Sequence, residues 1–166
     1  MIYKDFTLKA KVTNLNNIER LLATYGAIFK GVDHQRDIYF NAAVGKLKLR
    51  QGTIENLITH YERIDDNGIE KTIVYQYDLN PSEEQKAELY RQYDVIGIIE
   101  KTRKIYFINN VKIHLDTTQH NEIFIELEAI DINDSMGSET LRTQCMEIKS
   151  KLNIPDSDLI KTGYLR

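Results

Sequence analysis

In Gly45-Lys46-Leu47-Lys48-Leu49-Arg50 an extended chain places Lys46, Lys48 and Arg50 on one face and Leu47 and Leu49 on the other. Neighbouring cations repel, so a fold that keeps three together either leaves them in water or gives them an anion to hold. Similar polar faces recur along the chain. They carry Lys9, Arg63, Lys101 and Arg103 as further cations, and Asp5, Glu62, Asp116, Glu126 and Glu128 as carboxylates. Gathered in one place, such groups could hold a polyphosphate through lysine and arginine and a hard divalent cation through oxygen ligands. Phosphoryl chemistry asks for little more, because it rests chiefly on positioning and charge stabilisation. Taken one at a time, each segment is also compatible with a half-buried strand whose charged face is solvated.

The elements that must position these groups are readable from periodicity. Residues 5–12 alternate strictly, with Phe6, Leu8, Ala10 and Val12 opposite Asp5, Thr7, Lys9 and Lys11, which predicts a strand. Leu15, Ile18, Leu21, Leu22 and Tyr25 fall at helical spacing between a cap at Thr13 or Asn14 and a stop at Gly26. A short strand is expected over 27–30 and a hairpin over 35–50 with its turn at Asn41–Gly45. Strands follow over 57–64 and 69–78, separated by the turn signal Asp65-Asp66-Asn67-Gly68. Asn80-Pro81-Ser82-Glu83-Glu84 predicts a helix start with a polar cap and acids in the first turn, running to about Tyr93. Strands are expected over 95–108, 111–117 and 123–130, the last with Phe124, Glu126 and Glu128 on one face. A helix carrying Leu141, Cys145, Ile148 and Leu152 then extends to about Asn153, with a further helical turn over 155–160. Strands in meanders punctuated by helices imply an antiparallel α+β fold, not a parallel βαβ sheet. If the strands curl into a barrel wrapped by the three helices, the charged faces line its inside.

A length of 166 residues suits a single domain over 1–166 with a substantial core. The net charge of −3 argues against a general nucleic-acid binder, so any anion site must be local. No apolar run approaches the ~20 residues of a membrane span. Cys145 is the only cysteine, which excludes an internal disulfide framework, and four scattered histidines do not make a zinc site. A cytoplasmic protein, monomeric or homodimeric, is the inference, and a bound metal would be carboxylate-held Mg²⁺ or Mn²⁺.

Together, Gln35–Phe40 with Gly45–Arg50, Tyr61-Glu62-Arg63, Lys101–Phe107, His114-Leu115-Asp116 and Phe124–Glu128 resemble the CYTH family, the triphosphate tunnel enzymes. The likeness is closest to the class IV adenylyl cyclase-like branch. This resemblance implies an eight-stranded antiparallel barrel forming a tunnel for a triphosphate with divalent metal. It implies phosphate binding by Lys9, Lys48, Arg50, Arg63 and Arg103, assisted by Lys46 and Lys101, and metal binding by Asp5, Asp116, Glu126 and Glu128. Its range of activities includes adenylyl cyclase, thiamine triphosphatase and inorganic triphosphatase, and the residues do not choose among them or assign a catalytic group. The family's Glu-x-Glu-x-Lys signature reads Asp5-Phe6-Thr7-Leu8-Lys9 here, so Thr7 stands where a second glutamate is expected. That substitution supports an alternative expectation, a catalytically impaired protein that binds a nucleotide or polyphosphate.

Overall fold

The computed structural model describes residues 2–66, 69–131 and 133–160. The chain begins with strand β1 (Ile2–Lys11), whose alternation sends Phe6 and Ala10 into an apolar core and Asp5 to the opposite side. Helix α1 (Leu15–Thr24) follows; Asn14 caps it by accepting from the Asn17 N–H at 3.0 Å, and Gly26, at φ +73°, turns the chain out of it. Next come β2 (Ile28–Phe40), β3 (Lys46–Gly52), β4 (Asn56–Asp66) and β5 (Ile69–Leu79). The separate short strand expected over 27–30 is the first part of β2, which pairs with a later strand along its whole length across an irregularity between Phe29 and Gly31. Asn67 and Gly68, the core of the expected turn between β4 and β5, lie outside the described residues.

Helix α2 (Glu83–Gln92) starts two residues later than its sequence suggests. Asn80 adopts φ +49° in the approach, and Ser82 is the N-cap of a full capping box with Gln85, a better match for the free N–H groups than Asn80. Strands β6 (Val95–Ile108), β7 (Val111–Thr118) and β8 (Ile123–Asp131) and helix α3 (Ser138–Lys151) follow. The helical turn expected over 155–160 is a short 3-10 turn at Asp156–Asp158 that gives way to a two-residue strand β9 (Leu159–Ile160), the last of the described elements.

Among the described residues every strand pairing is antiparallel, and the hydrogen-bonded order is β5-β4-β3-β2-β6-β7-β8-β1-β9. A further pairing from Ile2 opposite Ile73 to Lys4 opposite Lys71 joins β1 back to β5 and closes eight strands into a ring. The ninth, β9, is attached to β1 only at Lys9 and Ala10.

The apolar cores lie outside this ring. Phe6, Ile113, Ile125 and Leu127 from β1, β7 and β8 meet Leu22 of α1 and Leu141, Cys145 and Ile148 of α3. On the far wall Ile38, Leu47, Leu49 and Ile58 from β2, β3 and β4 meet Leu89 of α2. Leu22, Leu49 and Leu141 are fully buried, each contributing roughly 1.5–3 kcal/mol of hydrophobic stabilisation. Because a strand's side chains alternate, packing these faces under helices obliges the charged faces to point into the barrel.

Candidate functional site

Cross-strand register carries the polar residues around the inside of the ring. Asp37 faces Arg50 between β2 and β3, and Lys48 faces both Tyr39 and Thr59. Arg103 of β6 faces Asp33 on one side and Asp116 on the other. His114 faces Glu126, Glu126 faces Lys9, and Glu128 faces Thr7 between β7, β8 and β1. Lys46, Lys101 and Arg63 share these faces, with Lys46 exposed at the start of β3 and Arg63 near the end of β4. Each residue expected to contact phosphate or metal therefore lies on an inward face. Glu62 does not. It sits on the outer face of β4, where its carboxylate accepts from the Tyr75 hydroxyl at 2.9 Å, because alternation that turns Arg63 inward turns Glu62 outward.

Two ion-pair clamps organise the centre. Arg50 donates to both oxygens of Asp37 at 2.8 Å, and the Lys101 ammonium reaches the same carboxylate at 2.5 Å. Arg103 grips both oxygens of Asp116 in the same forked way, at 2.7 and 2.8 Å. Asp37 and Asp116 are both 0% exposed, so only such pairing offsets the loss of hydration. Burial would raise the Asp37 carboxyl, but hydrogen bonds from Arg50 and the charges of Lys48, Arg50 and Lys101 hold it far below the usual carboxylate range. The cations feel the reverse. Burial lowers Lys101 to about 8, assisted by Arg103 and Arg50, against the pull of Asp37. Burial also pushes Lys48 well down, and its ammonium lies 5.8 Å from the Tyr61 ring centroid.

Carboxylates crowd the wall formed by β1 and β8, next to β5. Asp5 accepts from the Thr72 hydroxyl at 2.8 Å through one oxygen, while its other oxygen and the Thr7 hydroxyl are buried without a hydrogen-bond partner. Burial raises the Glu128 carboxyl to about 8, reinforced by the negative charges of Glu126 and Asp5 and opposed by Arg63, 4.0 Å away. Glu126 goes the other way. Burial would raise it, but Lys9, Arg63 and Arg103 outweigh that and lower it. Burial brings Lys9 down to about 8, against the attraction of Glu126 and Asp116.

Sequence reasoning missed several inward residues. Asp33, Gln35 and Asp37 alternate along β2, a signal present in the chain but overshadowed by the cations of β3. Lys112 joins the inward face of β7, and Glu55 comes from the turn between β3 and β4, where no periodicity could mark it; the two pair at 3.1 Å. His114, read as a structural strand residue, faces inward with both ring nitrogens buried and without hydrogen-bond partners. Burial, with Arg103 and Lys112 close by, keeps its imidazole neutral.

A hard divalent cation takes oxygen ligands, carboxylates above all. Asp5, Glu126 and Glu128 fit that chemistry: an unpartnered buried carboxylate oxygen sits beside a carboxyl held partly protonated by its acidic neighbours. Among the described residues no trio of histidine, cysteine or acidic side chains is already arranged as a complete cation site, so phosphate oxygens or water would have to finish the shell. Asp116 already has both oxygens in the fork of Arg103.

A closed antiparallel barrel with greasy outer walls under helices and a charged interior defines a charged-barrel protein. The chain belongs to the CYTH domain family, whose family model matches residues 6–164. Solved structures agree on the fold. The PH1012 protein of Pyrococcus horikoshii OT3 is 25% identical with a TM-score of 0.81, the match covering 97% of both chains. A conserved hypothetical protein from Pyrococcus furiosus is 22% identical over 97% of this chain and 98% of that one, with a TM-score of 0.79. A protein from Vibrio parahaemolyticus, described as a candidate adenylate cyclase, is 16% identical over 97% and 95%, with a TM-score of 0.78. No curated protein matches the chain. Among the described residues no helix is long and apolar enough to cross a membrane.

Proposed function

We propose that this chain, as a single domain over residues 1–166, binds a nucleoside or other triphosphate inside its barrel with Mg²⁺ or Mn²⁺ and acts on it. The reading is a class IV adenylyl cyclase-like enzyme or a triphosphatase, cytoplasmic, with no nucleic-acid or membrane partner. One observation carries it: cations from β1, β3, β4 and β6 converge with carboxylates on the inside of a closed ring. Lys9, Lys46, Lys48, Arg50, Arg63, Lys101 and Arg103 would hold the phosphate oxygens. For that, Arg50 and Lys101 exchange Asp37 for phosphate, and Arg103 exchanges Asp116. Lys9 and Lys101, both near 8, become fully protonated beside the polyanion and neutralise charge that builds on the phosphoryl oxygens. Asp5, Glu126 and Glu128 would hold the cation, with Asp116 joining if Arg103 shifts to phosphate. A divalent cation held there would supply charge neutralisation for the phosphate oxygens. A cyclase would direct the ribose 3′-hydroxyl at the α-phosphate, and a triphosphatase would direct water at the γ-phosphate.

A second reading is supported by Thr7. Its neutral, unpartnered hydroxyl lies opposite Glu128, so the cation shell has one charge fewer than a glutamate would supply. On that reading the chain captures the ligand without efficient turnover. Product analysis with ATP and with tripolyphosphate, each with Mg²⁺ or Mn²⁺, alongside calorimetry, separates the two. Product formation supports the enzyme, binding without product supports capture, and absence of binding removes both.

A further inference from the structure

The turn between β3 and β4 is held in one shape from inside the barrel. Asp33 accepts from the Ile54 N–H at 2.8 Å, the Glu55 N–H at 3.0 Å, the Thr53 hydroxyl at 3.1 Å and the Gln35 side-chain amide at 2.8 Å. Gly52 is part of the same packing. A Cβ there would stand 2.5 Å from the Glu55 carbonyl oxygen and 2.6 Å from an Asp33 carboxylate oxygen, so only glycine lets the turn close this tightly. The consequence is directional. Glu55 reaches from the turn to Lys112 on β7, three strands further round the ring, with N···O at 3.1 Å, and its other oxygen accepts from Gln35 at 3.3 Å. Burial opposes its charge, yet Lys112, Arg50 and Arg103 together keep it ionised. A carboxylate is thus fixed among the cations at the end of the barrel where β3 finishes, while Lys46, where β3 begins, is exposed at the other end.

We propose that Glu55 is the stop at one end of the phosphate track. Its carboxylate takes the position beside Lys112 that a further phosphate would need, so the barrel selects a polyphosphate chain that terminates inside it. The organic substituent of the ligand is then turned towards the opposite end, near Lys46. This rests on the triphosphate reading above and adds a specificity-determining residue to it. The physical basis is that a rigidly held anion repels a like charge brought alongside it and removes the cation that would have welcomed it.

The test is calorimetric titration of wild type, Glu55→Gln and Lys112→Met with inorganic tripolyphosphate and with long-chain linear polyphosphate, thermal melting confirming that each variant is folded. Wild type should bind tripolyphosphate more tightly than the long chain. Glu55→Gln should narrow that difference about tenfold, equivalent to about 1.4 kcal/mol. Lys112→Met should keep or widen the difference, because it leaves the Glu55 charge in place and the Asp33 bonds to the turn intact. Equal affinity of wild type for both ligands, an unchanged ratio in Glu55→Gln, or loss of discrimination in Lys112→Met would each overturn the stop while leaving triphosphate binding standing. Failure of wild type to bind either ligand would overturn both.

Discussion

Thr7 lies directly opposite Glu128 on the β1–β8 ladder, and its hydroxyl is buried without a hydrogen-bond partner beside a carboxyl that burial, Glu126 and Asp5 push up to about 8. A neutral side chain suits that position better than an acid when no metal is bound, because a further carboxylate would add repulsion to a group already driven towards its protonated form. Thr7→Glu should therefore lower the melting temperature in EDTA and enlarge the rise produced by Mn²⁺. Divalent affinity should tighten about tenfold, since ligand charge count sets the strength of hard-cation sites. An unchanged Mn²⁺ response, measured by melting and direct titration, would dissociate Thr7 from cation binding.

The shifts of Glu128, Lys9 and Lys101 predict an unusual pH profile. Glu128 is raised from 4.5 to about 8, so its contribution to stability is complete below 4.5 and is lost as pH rises through about 8. Lys9 and Lys101 are depressed from 10.5 to about 8, so theirs is complete above 10.5 and is lost as pH falls through about 8. The contributions of these three groups have their minimum near pH 8. Melting temperature against pH without ligand should show that dip, and Glu128→Gln should flatten its acid-side limb by an amount on the order of a few kcal/mol.

These groups were legible in the chain because alternation is a local signal: Lys9, Arg50, Arg103 and Glu126 each sit two residues from another polar inward residue. What alternation could not supply is partnership. Asp116 is expected at the metal and Asp37 is passed over, yet both are occupied by arginine forks that arise only when β2 meets β3 and β6 meets β7. Glu55 lies on a turn, outside any period, and reaches the barrel because Asp33, some twenty residues earlier, ties the turn down. Glu62 was misassigned for the opposite reason: Glu62 and Arg63 are adjacent and both charged, so composition alone cannot say which face is inside. Helix α2 was found, but its cap was displaced because Asn80 and Ser82 are both good caps and only Ser82 completes a box with Gln85.

Ligand binding should move protons in a way that reports which side chains meet it. At pH 8 Lys9 and Lys101 are each close to half protonated, and a bound polyanion completes their charge. Tripolyphosphate titrated in buffers of different ionisation heats should therefore show proton uptake on the order of one per site. Mn²⁺ titrated alone should show release, as the cation displaces the proton shared by the Glu128 cluster. Matching signs for the two ligands would mean that they do not address the lysine and carboxylate walls separately.

Asp37→Asn isolates what the carboxylate clamp contributes. The substitution preserves shape but leaves Arg50 and Lys101 without the carboxylate that both now hold, and unpairing a buried ion pair costs about 3–5 kcal/mol. The variant should melt well below wild type in dilute buffer. An added triphosphate supplies the missing anion to the same two cations, so tripolyphosphate should raise its melting temperature by more than it raises that of wild type, where Asp37 must first be displaced. Sulfate at equal ionic strength serves as the control for general screening, because screening acts weakly on groups this deeply buried. Equal stabilisation of the two proteins by tripolyphosphate would show that phosphate does not compete for the Arg50 and Lys101 pair, and that the carboxylate clamp is structural alone.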